Sequence, residues 1–371
     1  MLSYFQRRHC FGNLSMDYAA RIPCLDSLRG IAALGVMLFH FNLFFLPQAQ
    51  LPFVGRAYLG VDLFFLLSGF VMAHVYGDRL ASNWRAQWKQ YARARFARIY
   101  PLFVMTILAM TLAVALSRMP LAFVSFSVRY LALQPMLLQQ WASGLNWNYP
   151  SWSISTEAEA YLVFVFSAGV LVAGKHPRLI AVCCVGVIAA LSISNGGSLN
   201  SCVGISALLR TLADFSLGVL LYRAHSNSVK FPHKWAIILV VALVGLAEVF
   251  HQDFFMVGAF GCIIYYCASS TDVFGRLLDA RPLVTLGSWS YGIYLWHVPT
   301  HYAVMASFAS AGYPVSNLSE STSRLLLLAT IVLVVGLSAL SYRHFETPLR
   351  RLIVRSRAVG LPHSGYTVPQ G

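Results

Sequence analysis

The sequence predicts an all-α fold: a polytopic integral membrane bundle of about ten transmembrane helices. Three observations carry this. Hydrophobic residues make up 58% of the 371 and charged residues 11%, with a mean hydropathy of +0.64, whereas a soluble domain is about 25% charged. Apolar stretches long enough to span, about 20 residues each, recur along the whole chain. Of the 27 lysines and arginines, only Arg56, Arg118, Arg129, Arg210 and Arg324 fall in or beside the segments on the other side from the rest. That is the positive-inside pattern with both termini cytoplasmic. The net charge of +14 is therefore a topology signal and no nucleic-acid footprint.

Spans are placed at 30–47, 58–76, 99–117, 152–172, 179–194, 204–222, 235–250, 253–269, 286–308 and 323–342. A cytoplasmic N-terminal segment (1–24), a transmembrane domain (25–350) and a cytoplasmic tail (351–371) are expected. The first 20 residues are polar and irregular and lead into a full-length span with no small-residue cleavage site, so no cleavable signal peptide is read.

The first span, LDSLRGIAALGVMLFHF from Leu25, carries Arg29 and His40. Eleven positions on a helix are roughly 20° past three full turns, with a rise of about 16 Å, so both lie on one stripe. Asp26 falls within about 40° of the same stripe. Ionisable residues inside a span are costly and face a cavity or a partner; a base and a cation on one face look like a site.

The second span opens GVDLFFLLSGF from Gly60. Asp62 and Gly69 share a face; Asp62 fits a first-turn helix acid as well as a cavity group. Ser68 and Gly69 allow close approach of a ligand or, equally, of a neighbouring helix. The loop 77–98 is the most basic stretch, and Arg95 and Arg98, three apart at the start of the third span, either anchor topology or grip phosphates.

The longest outer connection, about 118–151, mixes Tyr130, Gln134, Gln139, Gln140, Trp141, Asn146, Trp147, Asn148 and Tyr149. That mix suits sugar stacking or an interfacial aromatic belt. The fourth span opens SWSISTEAEAY from Ser151, where Glu157 shares a stripe with Tyr161 and Glu159 reads as an interfacial charge. The ninth, LGSWSYGIYLWHVP from Leu286, carries Ser290, Tyr291, Tyr294 and His297, the last a cavity group or a hydrogen-bonded packing residue. The seven cysteines have neither zinc nor redox spacing and read as small apolar residues packed among helices; no metal is expected. There is no G-x-S-x-G elbow, Walker A loop, H-E-x-x-H helix or dinucleotide fingerprint, so hydrolase, ATPase and zinc-protease readings have no support.

Taken in order, these pieces resemble the acyltransferase-3 family of multispanning membrane O-acyltransferases, whose members modify exopolysaccharide, O-antigen and related carbohydrates. The Arg-x10-His signature resembles Arg29 to His40. G-x-D-x-F-F-x-x-S-G-F matches Gly60 to Phe70, R-x-x-R-I-x-P matches Arg95 to Pro101, and W-S-x-S-x-E…Y matches Trp152 to Tyr161. S-Y-x-x-Y-L-x-H matches Ser290 to His297, and a terminal E-x-P matches Glu346 and Pro348. Ala94 and the pair Ala158 and Ala160 depart from the usual pattern, which has paired arginines at the first place and an acid and Phe at the second.

The resemblance implies transfer of an acyl group, usually acetyl, from cytosolic acyl-CoA (a co-substrate, with no bound cofactor) to a hydroxyl of a carbohydrate or lipid-linked sugar acceptor. It implies the inner membrane of a bacterium. On this reading His40 is a general base, for which an ordinary imidazole pKa of about 6.5 is suited, or a transient acyl carrier. Arg29 balances charge on the CoA phosphates or the thioester oxyanion, and Asp26 orients either residue. Arg95, Arg98, Ser68 and Gly69 are expected on the acyl-CoA side; Asp62, Glu157, Tyr161, Ser290, Tyr291 and His297 line the acceptor cavity. A transporter or flippase of a lipid-linked saccharide is the alternative, weakened by the lack of an inverted repeat.

Overall fold

A computed structural model describes residues 22–46, 54–117, 133–141, 147–200, 202–229, 233–269 and 272–355. The expected N-terminal segment up to residue 21, the tail beyond 355, and Tyr130 and Asn146 of the outer connection lie outside the described residues. Among the described residues there are helices and turns and no strand.

Helix α1 (Pro23–Phe45) starts with proline in its first turn, where a missing N–H costs nothing. Helix α2 (Gly60–Met72) runs through a π-helical turn, Ala73–Gly77, into the long α3 (Asp78–Ser117). Then follow α4 (Trp152–Ala173), α5 (Pro177–Ser194), α6 (Ile205–Ser226), α7 (His233–Phe250), α8 (Phe254–Ser269) and the short α9 (Val273–Leu278). Helices α10 (Arg281–Ser310) and α11 (Glu320–Ser341) follow, and a second π-helical turn, Tyr342–Glu346, leads into α12 (Thr347–Arg355). Asp272 caps α9 and Ser319 caps α11 through side-chain oxygens that accept first-turn N–H groups.

Each of the ten apolar stretches falls on a helix, but the first helix starts seven residues before its stretch, at Pro23, and the helix holding 99–117 starts 21 residues before it, at Asp78. Among the described residues, six helical runs are long and apolar enough to cross a membrane: Pro23–Phe45, Ala57–Ser117, Tyr149–Ala173, Pro177–Ser194, Ile205–Ser226 and Glu320–Val354. The run Ala57–Ser117 holds two of the predicted stretches, and Trp235–Phe250 and Phe254–Ser269 are shorter apolar helices. Helix α10 is 30 residues long, but Ser288, Ser290, His297, Thr300 and His301 make it more polar; it packs against α1, α3 and α11. Leu162, Phe166, Val170, Leu179, Val182, Ile237, Ile238 and Val241 lie exposed on α4, α5 and α7. Side chains that large and apolar face lipid in a membrane bundle.

The basic stretch 77–98, expected as a loop, is almost entirely helical. From Asp78 to Tyr100 it contains neither Gly nor Pro and is rich in Ala, Arg, Lys and Gln, which favour helix. The one break is Asn83 (φ −154°, ψ 75°), whose Oδ1 accepts the Ala86 N–H at 3.2 Å and so caps the second part of α3.

Two glycine contacts set the packing that positions the site. Where α1 crosses α10, a Cβ added to Gly287 would lie 2.0 Å from the Asp26 carbonyl oxygen, and one added to Gly30 would lie 2.8 Å from the Gly287 nitrogen. Where α2 crosses α6, a Cβ on Gly69 would lie 1.9 Å from the Phe215 carbonyl oxygen and one on Gly218 2.0 Å from that of Leu66. Such backbone-to-backbone contact is how helices associate in lipid, where the hydrophobic effect offers little.

Candidate active site

A cavity lies among α1, α2, α3, α4 and α10, lined in part by Arg29, Ser68, Arg95, Arg98, Glu157, Tyr161, Ser290, Tyr291 and Tyr294. It therefore brings together residues expected on both the donor and the acceptor sides. Glu157 is its anionic centre. The Ser68 hydroxyl donates to Glu157, and the Tyr161 hydroxyl, one turn along α4, donates to Glu157 Oε1 at 2.6 Å.

The three arginines are held differently. Arg29 lies 3.9 Å from Asp26 one turn back on α1. Arg98 pairs with Glu346 at 3.4 Å and lies over the Tyr291 ring; the Tyr291 hydroxyl in turn donates to the Ile99 carbonyl at 2.7 Å. Arg95 makes no ion pair among the described residues. Its guanidinium sits over the rings of Tyr76 and Tyr161, its Nη2 donates to the Tyr76 hydroxyl at 3.4 Å, and its Nε is buried without a hydrogen-bond partner. Aromatic faces hold a cation without neutralising it, so Arg95 keeps its charge for another anion.

His40 and His297 are not among the lining residues. They form a hydrogen-bonded pair, Nδ1 to Nε2 at 2.9 Å, next to the cavity wall. Tyr294 lines the cavity and packs edge-on to His297, with ring centroids 5.9 Å apart. The Tyr294 hydroxyl, bonded to Ser153 and to the Pro150 carbonyl, ties this wall to the start of α4. Tyr149 packs edge-on to His40 at 4.9 Å, and His301, one turn beyond His297, lies among Phe41, Phe44 and Phe45.

Two residues expected in the site are elsewhere. Asp62 is fully buried in a bidentate pair with Arg210 at 2.7 and 2.6 Å, and Arg210 also donates to the Leu199 carbonyl. The pair fastens α2 to α6, because a buried carboxylate needs the nearest cation. Gly69 likewise faces Phe215 of α6 and not the cavity. Two amides of the outer connection tie it to the fold: Gln139 donates to the Ser151 carbonyl and Asn148 to the Leu295 carbonyl, each at 2.9 Å, while Trp141 donates to Glu159. Both amide atoms of Gln134 are buried without a hydrogen-bond partner.

Arg210 and His301 are partners of predicted site residues that the motifs do not include, though each carries a signal in the sequence. Arg210 is a charge within an apolar stretch, and His301 is four positions after His297. No group of three or more His, Cys, Asp or Glu side chains suited to a metal ion exists among the described residues.

The sequence matches the model of a family described as an acyltransferase domain over residues 22–343. The O-acetyltransferase OatA of Staphylococcus aureus (strain NCTC 8325 / PS 47) is 23% identical over 378 residues, covering 92% of this chain and 59% of that protein. YrhL of Bacillus subtilis (strain 168) is 25% identical over 375 residues, covering 90% and 56%. A shorter match, 41% identical over 97 residues, is to protein 2 in the picA locus of Rhizobium radiobacter, covering 26% and 48%. The chain spans about three-fifths of the length of the first of these relatives. No solved structure matches.

Proposed function

The chain belongs to the acyltransferase family, and on that premise we propose that it is a membrane O-acyltransferase moving an acyl group, acetyl, from cytosolic acyl-CoA to a hydroxyl of a carbohydrate acceptor. The acceptor class is an exopolysaccharide, an O-antigen or a lipid-linked sugar, and the setting is the bacterial inner membrane with both chain ends in the cytoplasm. The O-acetyltransferase named among its relatives supports the reaction type.

The observation that carries the reading is the placement of His40. Its ring is held by His297 at 2.9 Å, and His297 packs on Tyr294 of the wall of a cavity that Arg29, Arg95 and Arg98 also line. The arginines suit the phosphates of CoA. The thioester, at the end of the long pantetheine arm, then reaches towards the histidines, about 16 Å of helix rise beyond Arg29. His40 takes the proton of the attacking hydroxyl. Arg95, which has no carboxylate partner among the described residues, is the principal phosphate contact. Glu157, Tyr161, Ser290 and Tyr291 shape the cavity through which the arm passes, and Asp26 orients Arg29.

The test is release of CoA from acetyl-CoA by the purified protein, together with the acetyl content of the host's surface polysaccharide. Wild type releases thiol and acetylates; His40→Ala does neither while reaching the membrane in normal amount. Normal acetylation by His40→Ala refutes the catalytic assignment. A protein that moves a lipid-linked saccharide without releasing thiol is a transporter.

A further inference from the structure

The chemistry of the His40–His297 pair is fixed by a third atom. His297 Nδ1 lies 3.3 Å from the carbonyl oxygen of Ile293, one turn back on α10. A carbonyl oxygen only accepts, so Nδ1 carries the ring proton. A neutral imidazole protonated there has its lone pair on Nε2, and His297 Nε2 faces His40 Nδ1 at 2.9 Å. His40 Nδ1 is therefore the donor. The ring planes lie within 5° of each other with centroids 5.0 Å apart. That separation is the nitrogen–nitrogen distance plus about one ring's breadth, so the rings meet edge to edge in nearly one plane, as an in-plane lone pair requires. Proton accounting leaves His40 Nε2 with a lone pair, and no partner occupies it among the described residues.

We propose that His297 is the positioning residue for transfer: it locks His40 in the tautomer whose Nε2 lone pair is the base. The proposal rests on the reading of His40 as that base. The acceptor oxygen bonds to the thioester carbonyl carbon while its proton passes to His40 Nε2. The carbon–sulfur bond then breaks, and the same proton goes from Nε2 to the departing thiolate. The products are the ester and the free thiol, His40 returns to its starting tautomer, and no further reactant is consumed. In the opposite tautomer Nε2 would present an N–H to the hydroxyl and there would be no base.

The experiment compares His297→Gln with His297→Met in the purified full chain, using acetyl-CoA as the donor and free thiol as the readout. Where water is not accepted, the acetyl content of surface polysaccharide from cells carrying each variant gives the same comparison. Both side chains are unbranched and of similar length. The Gln amide oxygen reaches the place of Nε2 and accepts; the Met thioether is a poor acceptor. His297→Met should lower kcat about 100-fold, the scale of a lost general base. Its KM for acetyl-CoA should stay within about twofold, because the donor arginines are untouched. His297→Gln should recover about tenfold or more of the lost kcat. A His297→Met enzyme at the wild-type rate, or Gln and Met variants equally slow at equal thermal stability, overturns the positioning role. His40→Ala at the wild-type rate instead overturns the reading of His40, whereas an inactive His40→Ala beside a fully active His297→Met overturns the role of His297 alone.

Discussion

Gly30 and Gly287 meet where α1 crosses α10, and neither has room for a methyl group. Ten residues further along α1 stands His40, and ten further along α10 stands His297. Equal spacing on two helices running the same way gives equal rise, about 15 Å, so the crossing sets the register that lets the two rings bond. The pair of glycines and the pair of histidines are one device.

Gly287→Ala should therefore cost more activity than stability. Its Cβ would lie 2.0 Å from the Asp26 carbonyl oxygen, and overpacking of that kind costs about 1–3 kcal/mol, partly offset by about 1 kcal/mol of helix propensity. The helices must separate, and a shift of about 1 Å in a catalytic pair costs about 100-fold in rate. Gly30→Ala, with 2.8 Å to the nearest atom, should be milder, and Gly186→Ala, with nothing within 4 Å, should lose nothing. Thermal unfolding in detergent alongside CoA release checks the order; three equal variants would refute the register argument.

Arg95→Ala and Arg98→Ala should separate. Arg95 has no carboxylate partner among the described residues, so its loss should mainly raise the KM for acetyl-CoA, as removal of a contact made equally in ground and transition states does. Lys at 95 should rescue only in part, lacking the planar fork. Removing Arg98 strips Glu346, itself only 7% exposed, of its cation. That variant should lose stability as well as donor affinity, and Arg98→Ala/Glu346→Gln should regain the stability alone. Initial rates over a range of acetyl-CoA, with melting curves, decide; an unchanged KM in Arg95→Ala removes it from the donor site.

Asp62→Asn should behave as a folding variant. It leaves Arg210, 1% exposed, without its bidentate partner, and breaking a buried ion pair costs about 3–5 kcal/mol. Protein in the membrane should fall sharply, while the molecules that fold keep the wild-type KM for acetyl-CoA. A stable but inactive Asp62→Asn would return Asp62 to the cavity.

Within a helix the site was legible. Arg29 and His40 on one stripe, Glu157 with Tyr161, and Ser290 with His297 follow from the period of 3.6, and in the structure they do gather at one cavity and its wall. Partnerships between helices were not legible. His40 and His297 are 257 residues apart, Asp62 and Arg210 148, and Arg98 and Glu346 248. Which charge meets which depends on where the helices cross, and that is set by glycines such as Gly69, whose spacing in sequence fits a ligand contact and a helix contact equally well. The same limit hid the use of Gln139 and Asn148 as ties between a loop and the bundle: amides look alike whether they hold a sugar or a carbonyl.

Sidedness gives the last prediction. The loop between α5 and α6 holds exposed Asn200, and α12 holds exposed Arg351. The distribution of lysine and arginine puts the first outside and the second in the cytoplasm. A membrane-impermeant maleimide should therefore label Asn200→Cys in intact cells, and Arg351→Cys only after permeabilisation. Among the described residues, Cys183 is exposed but lies on the lipid-facing α5, where the reagent does not dissolve. Cys10 lies outside the described residues, so both substitutions are made in a Cys10→Ser chain, which should itself stay dark. The result bears on mechanism. His40 is about 16 Å of rise beyond Arg29, near the middle of a hydrocarbon core of about 30 Å. With Arg351 inside and Asn200 outside, CoA held at the arginines stays cytosolic while the acyl group alone passes the histidine pair to an acceptor from the other side. Labelling of both positions from one side would break that map, and donor and acceptor would then have to meet at a single face.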